Sequence, residues 1–395
     1  NITYQPTDIR DVNPRLGALV NNGGTTPTHA VFVHSPLIDK GVNALAVDPF
    51  GGNNTALVFD QRGSGFARIV DGNGDGSAIV DVGTFERRIF GDPRPTSGDF
   101  DGDGKADIAV FRRSNGFWYV MKSTGGFSAV QWGFGTDTLV PGDYDGDGKT
   151  DVAVYRRGSQ PTAFGNINDS TWYIRRSSDN TFLTRQYGKG GFYEWDTPMP
   201  ADYDGDGKTD LGLYGLSDAL GSPGNFKVWQ SSDGLRYERQ WGTNIDQIVP
   251  RDYDGDGKAD LATVRIEPRF SSNGIAIWQI LQSSNGATRQ VQFGLATDVT
   301  VPRDYDGDGK TDIAVYRPSN GFWYRLNSSD GSFFAIQFGL STDITVPADY
   351  DGDGKTDIAV FRPSNGTWYL QQSKDGFAAY VFGLPDDVPV TSLAR

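Results

Sequence analysis

The sequence predicts an all-β protein whose larger part is a β-propeller built from four-stranded blades. One acidic nonapeptide occurs six times, and successive copies start 44 to 59 residues apart, a period typical of propeller blades. The residues after each copy read as short strands separated by turns. The chain also contains 52 glycines and 20 prolines in 395 residues, which favours tight turns over helices. We therefore expect almost no helix.

The repeated nonapeptide is nearly invariant within the chain. It reads DFDGDGKAD at Asp99–Asp107, DYDGDGKAD at Asp252–Asp260, and DYDGDGKTD at Asp143–Asp151, Asp202–Asp210, Asp304–Asp312 and Asp349–Asp357. A unit that repeats this closely predicts one supersecondary element per copy, stacked on its neighbours.

Each unit is predicted to have four strands, the first of which ends at the acidic loop. In the fifth unit the next three are Ile313–Arg317, Phe322–Leu326 and Phe333–Phe338, lengths typical of sheets. The third strand of every unit carries a tryptophan: Trp118, Trp172, Trp229, Trp278, Trp323 and Trp368. A bulky ring repeated in every unit favours packing between sheets over binding of sugars.

The acidic loop is predicted to bind a metal ion. Carboxylates occupy loop positions one, three, five and nine, and the glycines at positions four and six permit a tightly curved backbone. The carbonyl of the lysine at position seven can supply another oxygen while its side chain faces solvent. Six or seven oxygens suit Ca²⁺, whereas Mg²⁺ fits less well because it keeps waters and a strict octahedron.

The predicted metal ligands are the same five positions in each loop. They are Asp99, Asp101, Asp103, Lys105 and Asp107; Asp143, Asp145, Asp147, Lys149 and Asp151; Asp202, Asp204, Asp206, Lys208 and Asp210; Asp252, Asp254, Asp256, Lys258 and Asp260; Asp304, Asp306, Asp308, Lys310 and Asp312; and Asp349, Asp351, Asp353, Lys355 and Asp357.

A solvated acidic turn is the alternative interpretation of this loop, and charge argues against it. Six loops with four aspartates each contain 24 of the 50 acidic residues, and such clusters repel unless a cation lies between them. A helix–loop–helix calcium hand is also excluded, because it needs a glutamate at position twelve. Here that position is Val315, inside a predicted strand.

The units resemble the FG-GAP/VCBS repeats of bacterial surface proteins, which are related to the calcium-binding blades of integrin α-chain propellers. The DxDGDGxxD loop and the FG turn, as in Phe293-Gly294, Phe338-Gly339 and Phe382-Gly383, carry the resemblance over about residues 85–395. It implies a propeller with one Ca²⁺ per loop, about six in all.

The sequence leaves two blade counts open. Residues 85–91 (FERRIFG) resemble a fourth strand, and residues 385–395 resemble a first strand. If these two ends share a blade, the ring closes with seven blades; otherwise it has six.

Residues 1–84 form a separate predicted domain before the propeller at 85–395. The phrases NNGG, THA, SPLIDKG, DQRG and VDVGTFE resemble the C-terminal end of the choice-of-anchor Q type of parallel β-helix domain. The end of a β-helix has unpaired strand edges. Either the chain is a fragment of a longer protein, or this segment pairs with another copy to give a homo-oligomer or a surface fibre.

A candidate recognition surface is predicted on the face opposite the acidic loops, where the longest insertions of three consecutive blades fall. Functional variation concentrates in loops on a rigid scaffold. The residues proposed for ligand binding are Phe164, Phe192, Tyr193, Trp195, Arg269 and Phe270. Harmless variation in loop length is the alternative.

Composition limits the remaining functional classes. The net charge of −14 argues against nucleic acid as a partner, and no apolar run is long enough to span a bilayer. The chain has no cysteine, and its two histidines, His29 and His34, have no nucleophile signature nearby. We therefore predict that the chain is not an enzyme.

The sequence favours a calcium-stabilised structural or adhesion module, secreted or on the cell surface, with any export signal upstream of Asn1. Its partner would be an extracellular protein or a glycan. A carbohydrate-binding, lectin-like module is the alternative. Extracellular calcium modules bind weakly, at roughly 10⁻⁴–10⁻³ M, so such loops fill where calcium is millimolar.

Overall fold

The fold was analysed in a computed structural model. It describes residues 98–158, 170–190, 194–217, 221–268 and 274–390, together with four short strands before them. The chain divides into two compact units, Asn1–Pro93 and Arg94–Arg395. Within the described ranges there is no helix, as the sequence predicted.

The first unit contains two described antiparallel strand pairs. β1 (Leu16–Val20) pairs with β2 (Thr28–Val31), and β3 (Val47–Asp48) pairs with β4 (Thr55–Ala56).

The second unit is a propeller of six four-stranded antiparallel blades. Blade 1 contains β5 (Ile108–Arg112), β6 (Phe117–Met121) and β7 (Phe127–Gln131). Blade 2 contains β8 (Thr138–Leu139), β9 (Val152–Arg156), β10 (Thr171–Arg175) and β11 (Phe182–Gln186). Blade 3 contains β12 (Glu194–Pro198), β13 (Leu211–Ser217), β14 (Pro223–Trp229) and β15 (Arg236–Thr243). Blade 4 contains β16 (Gln247–Ile248), β17 (Leu261–Glu267), β18 (Ile275–Leu281) and β19 (Thr288–Leu295). Blade 5 contains β20 (Val299–Thr300), β21 (Ile313–Arg317), β22 (Phe322–Leu326) and β23 (Phe333–Gln337). Blade 6 contains β24 (Ile344–Thr345), β25 (Ile358–Arg362), β26 (Thr367–Gln372) and β27 (Gly376–Val381), and β28 (Val388–Pro389) follows it.

The ring is closed by the C-terminal strand. β28 lies beside β5 in blade 1, with Val388 opposite Phe111 and Pro389 opposite Val110. The propeller therefore has six blades, and the predicted count of seven is wrong. Residues 388–389 supply the first strand of blade 1 and do not begin a blade of their own. Residues 85–91, the other half of the predicted seventh blade, lie outside the described residues.

The hydrophobic core is divided into six clusters, each shared by two consecutive blades. One contains Phe361 and Trp368 of blade 6 and Val110 of blade 1, so the clusters also continue across the closure. The second strands are buried on both faces, as expected for sheets packed between two neighbours.

The strand-three tryptophans pack as predicted in five blades. Trp118, for example, is 1% exposed, and its indole Nε1 donates to the carbonyl of Trp132. Blade 3 differs, because Phe226 lies opposite Tyr214 where the other blades have tryptophan, and Trp229 falls three residues later. The idea that all six tryptophans are equivalent is therefore wrong for Trp229.

The closing strand gives a test of the six-blade ring. Val390 is 1% exposed among blade 1 and blade 2 residues, and its N–H donates to the Ala109 carbonyl at 2.9 Å. Val390→Ala should lower the unfolding free energy by about 2 kcal/mol, because two buried methyl groups are lost. Urea denaturation measures this. Val381→Ala is the matched control, since Val381 is 79% exposed. Equal effects of the two substitutions would contradict closure by β28.

Candidate metal centre

Each acidic loop is a tight turn between the first and second strands of a blade, and its ninth aspartate closes the base. In blade 2 the residue before the loop, Gly142, bridges to Asp151, and the N–H of Asp151 donates to the Gly142 carbonyl at 2.8 Å. Gly146 and Gly148, at positions four and six, have φ values of 82° and 85°. This left-handed region favours glycine, so the curvature predicted from the sequence is present.

The first aspartate holds the loop from inside. In blade 2, Asp143 Oδ1 accepts the N–H of Gly146 at 2.6 Å, and Oδ2 accepts the N–H of Gly148 at 2.8 Å. Asp99, Asp202, Asp252, Asp304 and Asp349 do the same in the other blades. The first carboxylate is therefore fixed toward the centre of the loop before any ion is considered.

The ninth aspartate connects the loop to the rest of its blade. Asp151 Oδ2 accepts the N–H of Tyr144 at 2.9 Å, and Oδ1 accepts the N–H of Ser177, after strand three, at 2.6 Å. Asp151 and Asp143 are both almost fully buried. In blade 2 the most buried carboxylates are thus the two ends of the loop, and positions three and five lie nearer the surface.

These carboxylates converge. In blades 1, 2 and 4 the aspartates at positions one, three and nine each place one carboxylate oxygen within 4.8 Å of the other two. In blades 3 and 5 the aspartates at positions one, three and five do the same. In blade 1, Asp101 Oδ1 is buried and has no hydrogen-bond partner. A buried carboxylate oxygen that has no hydrogen-bond partner and lies beside two further carboxylates is suited to bind a hard cation. The predicted aspartates are therefore brought together; the carbonyl ligands at position seven remain a prediction.

Burial and like charge perturb these groups in the metal-free chain. Desolvation, opposed by hydrogen bonds from Gly146 and Gly148, raises the pKa of Asp143 to about 7. Burial likewise raises the pKa of Asp202 to about 8 and of Asp210 to about 7, and neighbouring carboxylates add to each shift. Without a cation, burial therefore favours the protonated forms of these three aspartates in blades 2 and 3.

The sequence analysis did not predict that the two residues at the turn after strand three cover the acidic loop of each blade. After strand three of blade 4, Ser283 Oγ donates to Asp256 at 2.8 Å and Ser284 Oγ donates to Asp254 at 2.6 Å. Ser177-Ser178, Ser231-Ser232 and Ser328-Ser329 make the same two contacts. In blade 1 the Ser123 amide donates to Asp107 and the Thr124 hydroxyl to Asp101. In blade 6 the Ser373 hydroxyl donates to Asp353 and the Lys374 amide to Asp351. The signal was available, since a serine follows strand three in every unit.

The sequence analysis also missed a second set of aspartates, which form ion pairs with arginine or lysine side chains of the protein. Asp298, just before strand one of blade 5, forms a bidentate pair with Arg317 at 2.8 Å through both oxygens. Equivalent pairs are Asp137–Arg156, Asp246–Arg265, Asp343–Arg362 and Asp387–Arg112. In blade 3, Gly215 replaces the arginine, and Lys227 on the next strand reaches Asp196 at 2.7 Å. Buried carboxylates with such partners are structural, which separates them from the loop aspartates.

The methylene groups of the lysine at position seven pack on the preceding loop, a contact that the sequence did not predict. A methyl group built on Gly102 of blade 1 would lie 2.7 Å from Cε of Lys149, which belongs to the loop of blade 2. The backbone of each such lysine stays in its own loop, where its N–H donates to the aspartate at position five.

Comparison with known families supports an FG-GAP-type propeller. The FG-GAP-like repeat family matches residues 99–154 and 304–360, and the FG-GAP repeat family matches residues 343–382. Both matches include acidic loops whose geometry is described above. A search of curated proteins found no match.

Three solved structures align with about three quarters of this chain at low identity and with TM-scores below 0.5. They include a mutant of AofleA from Arthrobotrys oligospora (11% identity, 76% of this chain and 89% of that chain, TM-score 0.43). They also include a Synechocystis apocarotenoid oxygenase mutant (10%, 75% and 74%, TM-score 0.39) and a putative 6-phosphogluconolactonase from Bacteroides uniformis (12%, 73% and 98%, TM-score 0.37).

The prediction that the chain is not an enzyme is wrong as an exclusion, because propellers named as enzymes are among the similar structures. The absence of cysteine and of a histidine-based nucleophile signature does not exclude catalysis on this architecture. At these identities the similarity transfers no activity to this chain.

The remaining sequence predictions fall largely outside the described residues. Phe164, Phe192, Tyr193, Arg269 and Phe270 are not described, and only the backbone of Trp195 is, in β12. The recognition surface therefore stays a prediction, as does the β-helix resemblance of residues 1–84. Among the described residues, no helix could cross a membrane.

The raised pKa values predict a distinctive pH dependence. Unfolded aspartate titrates at about 3.9, whereas Asp143, Asp202 and Asp210 hold their protons to about pH 7–8 in the folded, metal-free chain. The folded state then binds more protons between these limits, so its stability falls as pH rises through this window. Melting in EDTA should therefore occur at a higher temperature at about pH 5 than at about pH 8.

Excess calcium is the control for this experiment. A bound cation favours the ionised carboxylates, so the decrease in melting temperature toward alkaline pH should vanish. A metal-free protein that becomes more stable as the pH rises would contradict the assignment.

Proposed function

We propose that this chain is a calcium-stabilised propeller module that acts outside the cell in structure or adhesion. The observation that carries the proposal is the convergence of three carboxylate oxygens within 4.8 Å in each of five loops. Oxygen donors in this number and at this spacing suit a hard divalent ion of the size of Ca²⁺.

The donor set supports calcium binding in its details. The first aspartate is held by two glycine amides, and Asp101 Oδ1 of blade 1 is buried without a hydrogen-bond partner, which supports binding of a cation there. Positions three and five accept serine or threonine hydroxyls from the adjacent turn, an arrangement that orients the ligands from behind. Bound calcium would supply charge neutralisation at these loops.

A structural role follows from where the loops lie. Each one joins the first two strands of a blade and contacts the turn after the third strand, so an ion there fixes three strands relative to one another. Ions that bind the folded chain alone stabilise it by mass action, about 2.7 kcal/mol per site when free calcium is 100-fold above Kd. Weak sites of this type fill at extracellular calcium levels, which supports an extracellular location.

Removal of calcium tests the proposal. EDTA should lower the melting temperature sharply and added Ca²⁺ should restore it, because stabilisation depends on free ion concentration. Native mass spectrometry should find six bound ions, one for each acidic loop. A chain that binds no calcium and melts identically with EDTA would overturn the proposal.

A single-site variant with a matched control sharpens the test. Asp254→Asn removes charge from the blade 4 cluster and should reduce the stoichiometry from six to five. Asp330→Asn changes an exposed aspartate that accepts only a turn hydrogen bond from Ser332, and it should keep all six ions.

A further inference from the structure

The six acidic loops form a closed hydrogen-bonded ring. In each loop the residue at position eight donates its backbone N–H to the carbonyl of the first aspartate in the preceding loop, at 2.5 to 2.7 Å. The bonds are Thr150 to Asp99, Thr209 to Asp143, Ala259 to Asp202, Thr311 to Asp252, Thr356 to Asp304 and Ala106 to Asp349. The last bond crosses the junction between blades 1 and 6, so every loop is both donor and acceptor.

Lysine side chains make a second ring in the same direction. Lys149 covers Gly102, with Cε 2.7 Å and Cγ 3.0 Å from the position of an added Cβ. The same contact joins Lys208 to Gly146, Lys258 to Gly205, Lys310 to Gly255, Lys355 to Gly307 and Lys105 to Gly352. A chain of methylenes from the next blade therefore packs on the curved part of each loop, beside its third and fifth aspartates.

The hydrogen bond acts on a predicted metal ligand, and the lysine contact falls on the glycine between two others. The first aspartate of each loop offers its carboxylate to the ion and its carbonyl to the neighbour. The donating residue at position eight directly precedes the ninth aspartate of its own loop, which is another clustered carboxylate in blades 1, 2 and 4. An ion that fixes one loop therefore also fixes the hydrogen-bond partner of a ligand in the next loop.

We propose that the position-seven lysine and the position-eight amide of the following blade hold the residues of each calcium site in place. The six sites then fill cooperatively around the ring. This inference rests on the proposed function. The ordering of one loop by an ion lowers the entropic cost of ordering its neighbours, and coupling of this kind acts equally in both directions. The lysines are positioning residues, acting through their aliphatic chains.

Native mass spectrometry at half-saturating calcium tests the coupling directly in the unmodified chain. Cooperative filling predicts mainly empty and fully loaded molecules, with few intermediates. Six independent sites predict a binomial distribution centred on three ions. A binomial distribution overturns this inference but leaves the proposed function intact, whereas absence of bound calcium overturns both.

Lys149 provides a matched pair of variants. Lys149→Ala removes the methylenes that cover Gly102, and we expect it to weaken calcium binding by about fivefold or more at the adjacent site and to populate intermediates. Lys149→Met keeps an unbranched side chain without the charge, so it should restore steep filling. A role of the ammonium charge alone would make the two variants equal, and that result would refute positioning by the side chain. Far-UV circular dichroism in excess calcium checks that both variants fold.

Discussion

Clustered carboxylates in partly dehydrated loops are the constraint on which the propeller depends. Burial raises the pKa of Asp143, Asp202 and Asp210 toward or above neutrality, because desolvation disfavours their charged forms. By contrast, the buried carboxylates before strand one have arginine or lysine partners. The chain thus contains two sets of buried aspartates, and the proposed calcium ions concern only the set in the acidic loops.

This division explains the geometry of a blade. The internally paired aspartates join strands one and two with a side-chain cation, whereas the loop aspartates join them through backbone amides and hydroxyls. The blade core between these groups is apolar and shared with the next blade. Sheet packing holds neighbouring blades together, and the loop ring adds a polar connection between the same neighbours.

Much of this fold was predictable because its signals are local. The acidic loop, the FG turn and strands two and three of each unit lie within one repeat, and their bounds in blade 5 agree with those expected from the sequence. The closing strand was not predictable in the same way. Val388 and Pro389 resemble every other first strand, and only tertiary contact shows that they pair with residues near 110. Arg112 and Asp387 likewise meet across 275 residues of sequence.

The candidate metal site was likewise predictable only where its residues lie within one repeat. Which aspartates converge follows from their spacing, but the covering hydroxyls and lysines come from another strand or another blade. The side chain of Lys149 was expected to face solvent, and its contact with Gly102 of the preceding loop was not predicted. Contacts between repeats are invisible when each repeat is considered alone.

Closure by the last strand has a consequence for biosynthesis. Blade 1 is made first, but its edge beside β5 stays open until residues 388–389 leave the ribosome. During synthesis each of the other five blades can complete its sheet from its own segment, while blade 1 lacks its first strand until those five have been made. Folding of blade 1 therefore finishes after the segments of all the other blades are available.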